Sequence, residues 1–207
     1  HDDTYNNIPF FDKKDYQTVN CVKNIDILFN LSASPFTLEK NDKRHRLFSA
    51  SLSRLGCPML YINRRGLENN GKDCYTYDGM TAAYDPKGTL LAEAVPYQEE
   101  HSCFSFDIAA KKLAAEQEMK PFAGDMLLPA LRYGLKEFLS AIHAGRVVIG
   151  ISGGIDSAVN AALYRSVLPA ENLLLVNTPT RFNSETTKNL ARRLAENLEA
   201  PFVELPI

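Results

Sequence analysis

The chain has 207 residues, 45% hydrophobic and 23% charged, a composition typical of a folded globular protein. Its 23 Lys and Arg residues nearly balance its 25 Asp and Glu residues, and a net charge of −2 creates no strong field for nucleic acid or a membrane surface. No apolar run approaches the roughly 20 residues of a membrane span, no signal peptide is evident, and the four scattered cysteines form no C-x-x-C pair, so we expect a cytoplasmic protein with reduced thiols.

Short strands around one helix are predicted for the first half of the chain. Short apolar or alternating runs bounded by polar residues, Gly or Pro predict strands at residues 25–29, 59–62, 75–84, 89–94 and 102–108. Residues 40–55 have apolar side chains at helical spacing with basic residues between them, and Gly56 is a stop signal for this helix. The turn at 85–88, Asp-Pro-Lys-Gly, joins two of the strands as a hairpin.

A change of composition separates the two halves of the chain. Residues 109–119 have high helix propensity, and Pro121 ends that segment. An amphipathic stripe predicts a further helix over 127–144 that ends at Gly145. We therefore expect a domain boundary between Ala110 and Asp125.

The stretch 147–157, Val-Val-Ile-Gly-Ile-Ser-Gly-Gly-Ile-Asp-Ser, predicts a buried strand, a tight loop and the start of a helix. Gly153 and Gly154 can take backbone angles closed to other residues. Such a loop can surround an anion with N–H groups from the loop and from the following helix. The carboxylate of Asp156 is suited to hold a magnesium ion against phosphate oxygens.

A second parallel strand is predicted at 172–176, followed by a polar loop at 177–184 and a helix at 185–198. Ligands of open parallel sheets bind at the carboxyl ends of strands, so this loop is expected beside the one that follows Ile149. Arg181 could reach a phosphate there, or it is an ordinary surface arginine. Ser184 also has the position of a helix N-cap.

The pattern Ser-Gly-Gly-x-Asp-Ser at 152–157 resembles the pyrophosphate loop of the PP-loop ATP pyrophosphatase superfamily, and it lacks the Gly-Lys-Ser/Thr of a Walker loop. The alternative is a Gly-rich turn that only joins strand to helix. The resemblance implies ATP as a ligand and a magnesium ion on Asp156. The residues implied in ATP binding are Gly150, Ile151, Ser152, Gly153, Gly154, Ile155, Asp156, Ser157 and Arg181.

The order of elements in the first half, including Asn-Leu-Ser-Ala-Ser-Pro-Phe at 30–36, resembles the second half of a nitrilase-type amidase domain. It is most similar to the glutaminase domain of glutamine-dependent NAD synthetases, in which a PP-loop domain follows. The resemblance implies an α/β fold, with the C-terminal part of a nitrilase-like αββα sandwich at 1–110. Residues 111–144 would be a linker with connecting helices, and 145–207 the start of a Rossmann-like, adenine nucleotide alpha hydrolase-like, parallel-sheet PP-loop domain.

The same resemblance bears on the glutaminase residues. The family's Cys-Glu-Asp-x-Trp motif is best matched by His-Asp-Asp-Thr-Tyr at 1–5, so the nucleophile falls at or before His1 and no catalytic residue is expected in this chain. Ser34 and Lys40 match the serine and the basic residue that contact glutamine, and the alternative is a loop serine and a solvated lysine. Cys21 has no counterpart, and we interpret it as a packed or surface thiol.

The activity implied is ATP- and magnesium-dependent synthesis of NAD from nicotinate adenine dinucleotide, through an adenylated intermediate, with ammonia from glutamine. A homo-oligomer that binds these small molecules, and neither nucleic acid nor membrane, is expected. The alternatives are another PP-loop amidotransferase or ligase, and a catalytically inactive nitrilase-like binding or scaffold module. The chain opens without Met and ends on a strand-like run at 202–207, so we expect a fragment that is inactive by itself.

Overall fold

The computed structural model of the protein describes residues 24–116 and 122–207. These residues divide into two compact units: one holds the described residues up to Met126 apart from 69–74, and the other holds 127–207 together with 69–74. Both units combine helices with sheets, so the predicted α/β class is confirmed. Within the described ranges, no helix is both long and apolar enough to cross a bilayer.

The first unit contains one helix and eight strands among its described residues. They are β1 (Leu28–Ser32), α1 (Lys40–Leu55), β2 (Met59–Asn63), β3 (Arg65–Asn69), β4 (Cys74–Asp78), β5 (Ala82–Tyr84), β6 (Leu90–Glu93), β7 (Phe104–Asp107) and β8 (Lys112–Ala115). The main sheet has the order β1-β2-β5-β6, and the pairs β3-β4 and β7-β8 form two-stranded ribbons. Strands β1 and β2 are parallel, because α1 returns the chain between them, whereas β5 and β6 pair antiparallel as a hairpin.

Helix α1 packs against the main sheet through one apolar cluster. Leu52 and the partly buried Phe48 of α1 contact Met59, Tyr61 and Tyr84 of the sheet. The connection at Gly88 passes so close to α1 that an added Cβ would lie 2.5 Å from the Ser49 backbone, with φ at +82°. Only glycine fits both the space and the backbone angle there, so the hairpin is held tightly against the helix.

The second unit contains a three-stranded parallel sheet in the order β11-β10-β9. Its elements are α2 (Leu127–Ala141), β9 (Val147–Gly150), α3 (Ile155–Arg165), a short 3₁₀ turn at Ala170–Asn172, β10 (Leu173–Asn177), α4 (Glu185–Leu198) and β11 (Phe202–Glu204). Ile149, Leu173 and Leu175 form its core with small residues of the helices. Ala161 of α3 and Ala191 of α4 are fully buried, and their short side chains allow close approach at the core.

Several of the predicted helices and strands are confirmed. The predicted helix at 109–119 is wrong for the part of it that the structure describes. Residues Lys112–Ala115 form β8, which pairs antiparallel with β7 and buries Leu113. Helix propensity is a weak prior that tertiary pairing overrides. Residues 117–119 lie outside the described residues.

Two strand predictions need correction, and one strand was missed. Strand β1 starts at Leu28 rather than at residue 25 and continues to Ser32. The single strand predicted at 75–84 is two strands, because Gly79 and Met80 take positive φ angles between them. Strand β3 was not predicted, since it carries only one strongly apolar residue, Leu67.

Candidate functional site

The loop after β9 is tied at its start to the neighbouring strand. The N–H of Ile151 donates to the carbonyl of Val176 at 2.8 Å. The side-chain Nδ2 of the buried Asn177 donates in turn to the carbonyl of Ile151 at 2.5 Å. The loop therefore leaves the sheet in a defined direction at the carboxyl ends of two parallel strands, which is the predicted location.

The two serines of the loop hold its shape. The Ser157 hydroxyl accepts from the Ser152 N–H at 3.2 Å and donates to the Gly154 carbonyl at 3.0 Å. The Ser152 hydroxyl accepts from the Gly154 N–H at 3.2 Å. These contacts bring Ser152, Gly154 and Ser157 together as one compact turn.

Among the residues that the structure describes, no side chain caps the N-terminus of α3. Its N-cap is Gly154, which has no side chain to accept from the first-turn N–H groups. Helix α4, by contrast, is capped by Ser184, whose hydroxyl accepts from the Thr187 N–H, so the N-cap prediction for Ser184 is confirmed. The free N–H groups of α3 carry the positive end of the helix dipole, and this is an arrangement that binds anions.

Gly153 brings the loop against α4. Its φ is +84°, and an added Cβ would lie 2.2 Å from the carbonyl oxygen of Thr187. A cleft of about 410 Å³ opens between the loop, α3 and α4. The lining residues are Gly153, Gly154, Ile155, Ala158, Leu190, Arg193, Leu194 and Asn197.

Asp156 lies in the first turn of α3 with an exposed side chain. Its carboxylate makes no hydrogen bond or ion pair with any residue in the described parts of the chain. Those parts also contain no cluster of three His, Cys, Asp or Glu residues able to hold a metal by themselves. One free carboxylate beside an uncapped helix N-terminus fits Mg²⁺, which proteins hold with one or two carboxylates, substrate phosphates and water.

The loop after β10 holds Arg181 at its exposed tip. The Arg181 guanidinium lies 4.8 Å from the centroid of the Phe182 ring, and no hydrogen bond joins it to the described residues of the loop at 150–157. Asn183 shapes this loop, because its Oδ1 accepts from both the N–H and the hydroxyl of Thr180 at 2.8 and 2.9 Å. The amide of Asn183 therefore serves a local turn.

Ser34 and Lys40 lie close together in the first unit. The ammonium group of Lys40, at the start of α1, donates to the carbonyl of Pro35 at 2.7 Å. Burial and the neighbouring Arg44 guanidinium lower the pKa of Lys40 from its ordinary value, and the Asp78 carboxylate offsets part of that shift. Lys40 is thus packed beside the serine loop instead of extending into solvent.

A buried ion pair beside Ser34 was not found from the sequence. Arg44 is 6% exposed and Asp78 is 1% exposed, and Arg44 Nη1 lies 2.8 and 3.1 Å from the two carboxylate oxygens of Asp78. Asn63 Nδ2 donates to the same carboxylate at 2.8 Å. The sequence places Arg44 among exposed basic residues of an amphipathic helix, and only its position one turn after Lys40 could have drawn attention to it.

A second polar cluster surrounds His45. His45 Nε2 lies 2.9 Å from Glu93 Oε1, and Asn41 Nδ2 donates to the same oxygen at 2.8 Å. His45 Nδ1 shares a hydrogen bond of 2.6 Å with the Tyr84 hydroxyl. Burial raises the pKa of Glu93. This effect is outweighed by the hydrogen bonds from His45 and Asn41, by the charge of His45 and by the N–H of Phe122, so the pKa of Glu93 lies below its ordinary value.

Two predictions fall outside the described residues. The nucleophile position at or before His1 and the thiol of Cys21 both precede residue 24. The predicted glutamine and ATP residues lie in different units.

Comparison with known proteins shows what this chain is similar to. Residues 127–207 match the family model described as NAD synthase. A protein named glutamine-dependent NAD(+) synthetase from Synechocystis sp. is 29% identical over 100% of this chain and 37% of its own length. One of the same name from Rhodobacter capsulatus is 29% identical over 87% of this chain and 33% of its own length.

Solved structures of proteins with the same name have a similar fold. The structure of glutamine-dependent NAD+ synthetase from Acinetobacter baumannii, in complex with ADP, covers 94% of this chain at 21% identity and a TM-score of 0.76. A glutamine-dependent NAD(+) synthetase from Cytophaga hutchinsonii covers 89% at a TM-score of 0.65. The predicted resemblance is therefore confirmed, and the chain spans about a third of the length of the proteins it matches.

Proposed function

We propose that this chain is part of an enzyme that makes NAD from nicotinate adenine dinucleotide, ATP and ammonia, with the ammonia released from glutamine. Such an enzyme is a carbon–nitrogen ligase that works through an adenylated intermediate. The observation that carries the proposal is the compact Ser-Gly-Gly-Ile-Asp-Ser loop at 152–157, which precedes the uncapped N-terminus of α3. Support comes from the NAD synthase match, which includes this loop, and from the names of the similar proteins.

The nucleotide would bind at Gly150–Ser157, with Arg181 as a further phosphate contact. The first-turn N–H groups of α3, which no described side chain caps, would face the charge that develops on departing pyrophosphate, and such fixed donors act by electrostatic stabilisation. Mg²⁺, held by Asp156, would supply neutralisation of phosphate charge when bound. The ADP in the Acinetobacter baumannii protein is consistent with an adenine nucleotide in this fold.

Glutamine would bind in the first unit at Ser34 and Lys40. The bond from Lys40 to Pro35 uses one of the three ammonium donors, which leaves two for a substrate carboxylate. The serine hydroxyl would contact a polar group of the amino acid. This assignment goes with a division into a nitrilase-like part at 1–110, a linker at 111–144 and a PP-loop part at 145–207. We also propose a cytoplasmic homo-oligomer without nucleic-acid or membrane partners, and light scattering tests the oligomeric state.

The function is tested in the natural full-length protein with ATP, Mg²⁺, nicotinate adenine dinucleotide, and either ammonia or glutamine. Mass spectrometry should find NAD and AMP with both nitrogen donors. AMP release with a different acceptor would favour another PP-loop ligase, and an absence of nucleotide turnover would favour an inactive module. Either result overturns the proposal.

The role of Asp156 is tested by Asp156→Asn in the same protein. We expect turnover with either nitrogen donor to fall by about two orders of magnitude or more, because the variant loses the charge that would hold Mg²⁺. Glu196→Gln, a matching change at an exposed position of α4, is the control and should leave turnover within about twofold. Wild-type turnover in Asp156→Asn would contradict the assignment of this carboxylate.

A further inference from the structure

The backbone of Ser34 is held by side chains of two distant residues. Its N–H donates to Asn63 Oδ1 at 2.8 Å. Its carbonyl accepts from Asn63 Nδ2 at 3.2 Å and from Arg44 Nη2 at 3.0 Å. A side chain at the end of β2 therefore holds the N–H of Ser34, and the same side chain together with one from α1 holds its carbonyl.

The guanidinium that contacts Ser34 is itself held in one orientation. Its Nη1 binds both carboxylate oxygens of Asp78, while its Nη2 is directed at the Ser34 carbonyl. Asn63 binds Asp78 as well as Ser34, so the three side chains form a closed network around the backbone of Ser34. The planar fork of arginine serves two acceptors in fixed directions, which a lysine at the same place cannot reproduce.

Two side chains one helical turn apart on α1 bind successive carbonyls of this loop. Lys40 binds the Pro35 carbonyl, and Arg44 binds the Ser34 carbonyl. Residues four apart lie on the same face of a helix, so α1 clamps the two peptides together. Arg44 also leaves its Nε without a hydrogen bond among the described residues, which costs stability. A buried ion pair is weak evidence for stability. Here the pair orients the guanidinium toward the Ser34 carbonyl.

We propose that Arg44 is a positioning residue of the glutamine pocket. Its guanidinium fixes the Ser34 peptide, and therefore the direction of the Ser34 side chain, while Asp78 and Asn63 hold the guanidinium in place. The inference rests on the proposed function, in which Ser34 and Lys40 contact glutamine.

The test is Arg44→Lys in the natural full-length protein. The lysine keeps the positive charge beside Asp78 but lacks the second guanidinium nitrogen, Nη2, that donates to the Ser34 carbonyl. We expect the KM for glutamine to rise by about ten- to a hundredfold, as loss of a hydrogen bond to a charged group predicts. The kcat with glutamine should change less than the KM, and ammonia-driven synthesis should stay within about twofold. Arg46→Lys is the matched control, because Arg46 is exposed on the same helix and makes no hydrogen bond within the described ranges.

A second variant keeps the inference testable if Arg44→Lys does not fold. Asn63→Ala removes the two bonds from Asn63 to Ser34 and its bond to Asp78, but keeps the groups that make the direct contact between Arg44 and Asp78. It should produce the same rise in the glutamine KM, with normal ammonia-driven synthesis.

These experiments distinguish a failure of the positioning role of Arg44 from a failure of the proposed function. Wild-type protein that uses ammonia but not glutamine would refute the proposed glutaminase coupling, and the role of Arg44 with it. Wild-type protein that uses both, together with folded variants that keep the wild-type glutamine KM, would refute the positioning role alone. Equal losses with both nitrogen donors would mean that the network only supports the fold, and would also overturn the inference.

Discussion

At Gly153 the loop between β9 and α3 lies directly against the backbone of α4, and Gly153→Ala should therefore destabilise the second unit. The new Cβ would meet the Thr187 carbonyl oxygen at 2.2 Å and its carbonyl carbon at 2.9 Å. Both atoms belong to the backbone of α4, which cannot move aside as a flexible side chain can. The first turn of α4 must therefore shift, or the loop must change its path.

The expected cost has two parts. A left-handed angle with φ at +84° costs a residue with a Cβ about 1–2 kcal/mol. The forced displacement of packed backbone costs a further 1–3 kcal/mol, as is typical of overpacking, so the free energy of unfolding should fall by roughly 2–5 kcal/mol. Gly150→Ala is the matched control, because an added Cβ at Gly150 meets no atom within 4 Å. We expect its effect on stability to stay within about 0.5 kcal/mol.

The measurement is urea unfolding of the natural full-length protein, followed by hydrogen exchange in peptides from β9 to α4. Exchange assigns the change to this unit, which a global probe of a protein with several units cannot do. A loss of this size should lower the urea midpoint by on the order of 1 M. If Gly153→Ala and Gly150→Ala unfold at the same urea concentration, the close approach of the loop to α4 is refuted.

Two further predictions concern the first unit. Lys40→Ala in the full-length protein should raise the glutamine KM about tenfold. Ammonia-driven synthesis should stay near normal, because free ammonia bypasses the glutaminase. Equal losses with both nitrogen donors would mean that Lys40 has only a structural role. The pKa of Glu93 lies below its ordinary value of 4.5, so its carboxylate contributes stability above that pH, and the contribution is lost as pH falls through the lower folded pKa. In Glu93→Gln, stability should therefore fall less steeply as the pH drops below about 4.5, and thermal unfolding measured against pH tests this. An unchanged acid profile would contradict the pairing with His45.

Elements whose signals are local could be predicted from the sequence. Helix α1 begins and ends where apolar spacing and Gly56 place it, with Gly56 in the left-handed conformation at its C-cap. The strand, loop and helix at 147–165 follow from an apolar run, two glycines and a helical pattern. Ser184 was identified as an N-cap for the same reason, since a cap bonds to a backbone group only three residues away.

Tertiary structure decided the rest, because the deciding contacts join residues far apart in the chain. The segment Lys112–Ala115 favours a helix by propensity, and pairing with β7 and burial of Leu113 make it a strand. Arg44 has the neighbours of an exposed helix residue, yet it is buried because Asp78, 34 positions later, supplies the opposite charge. A buried charge requires such a partner, and no short window of sequence contains both members of the pair.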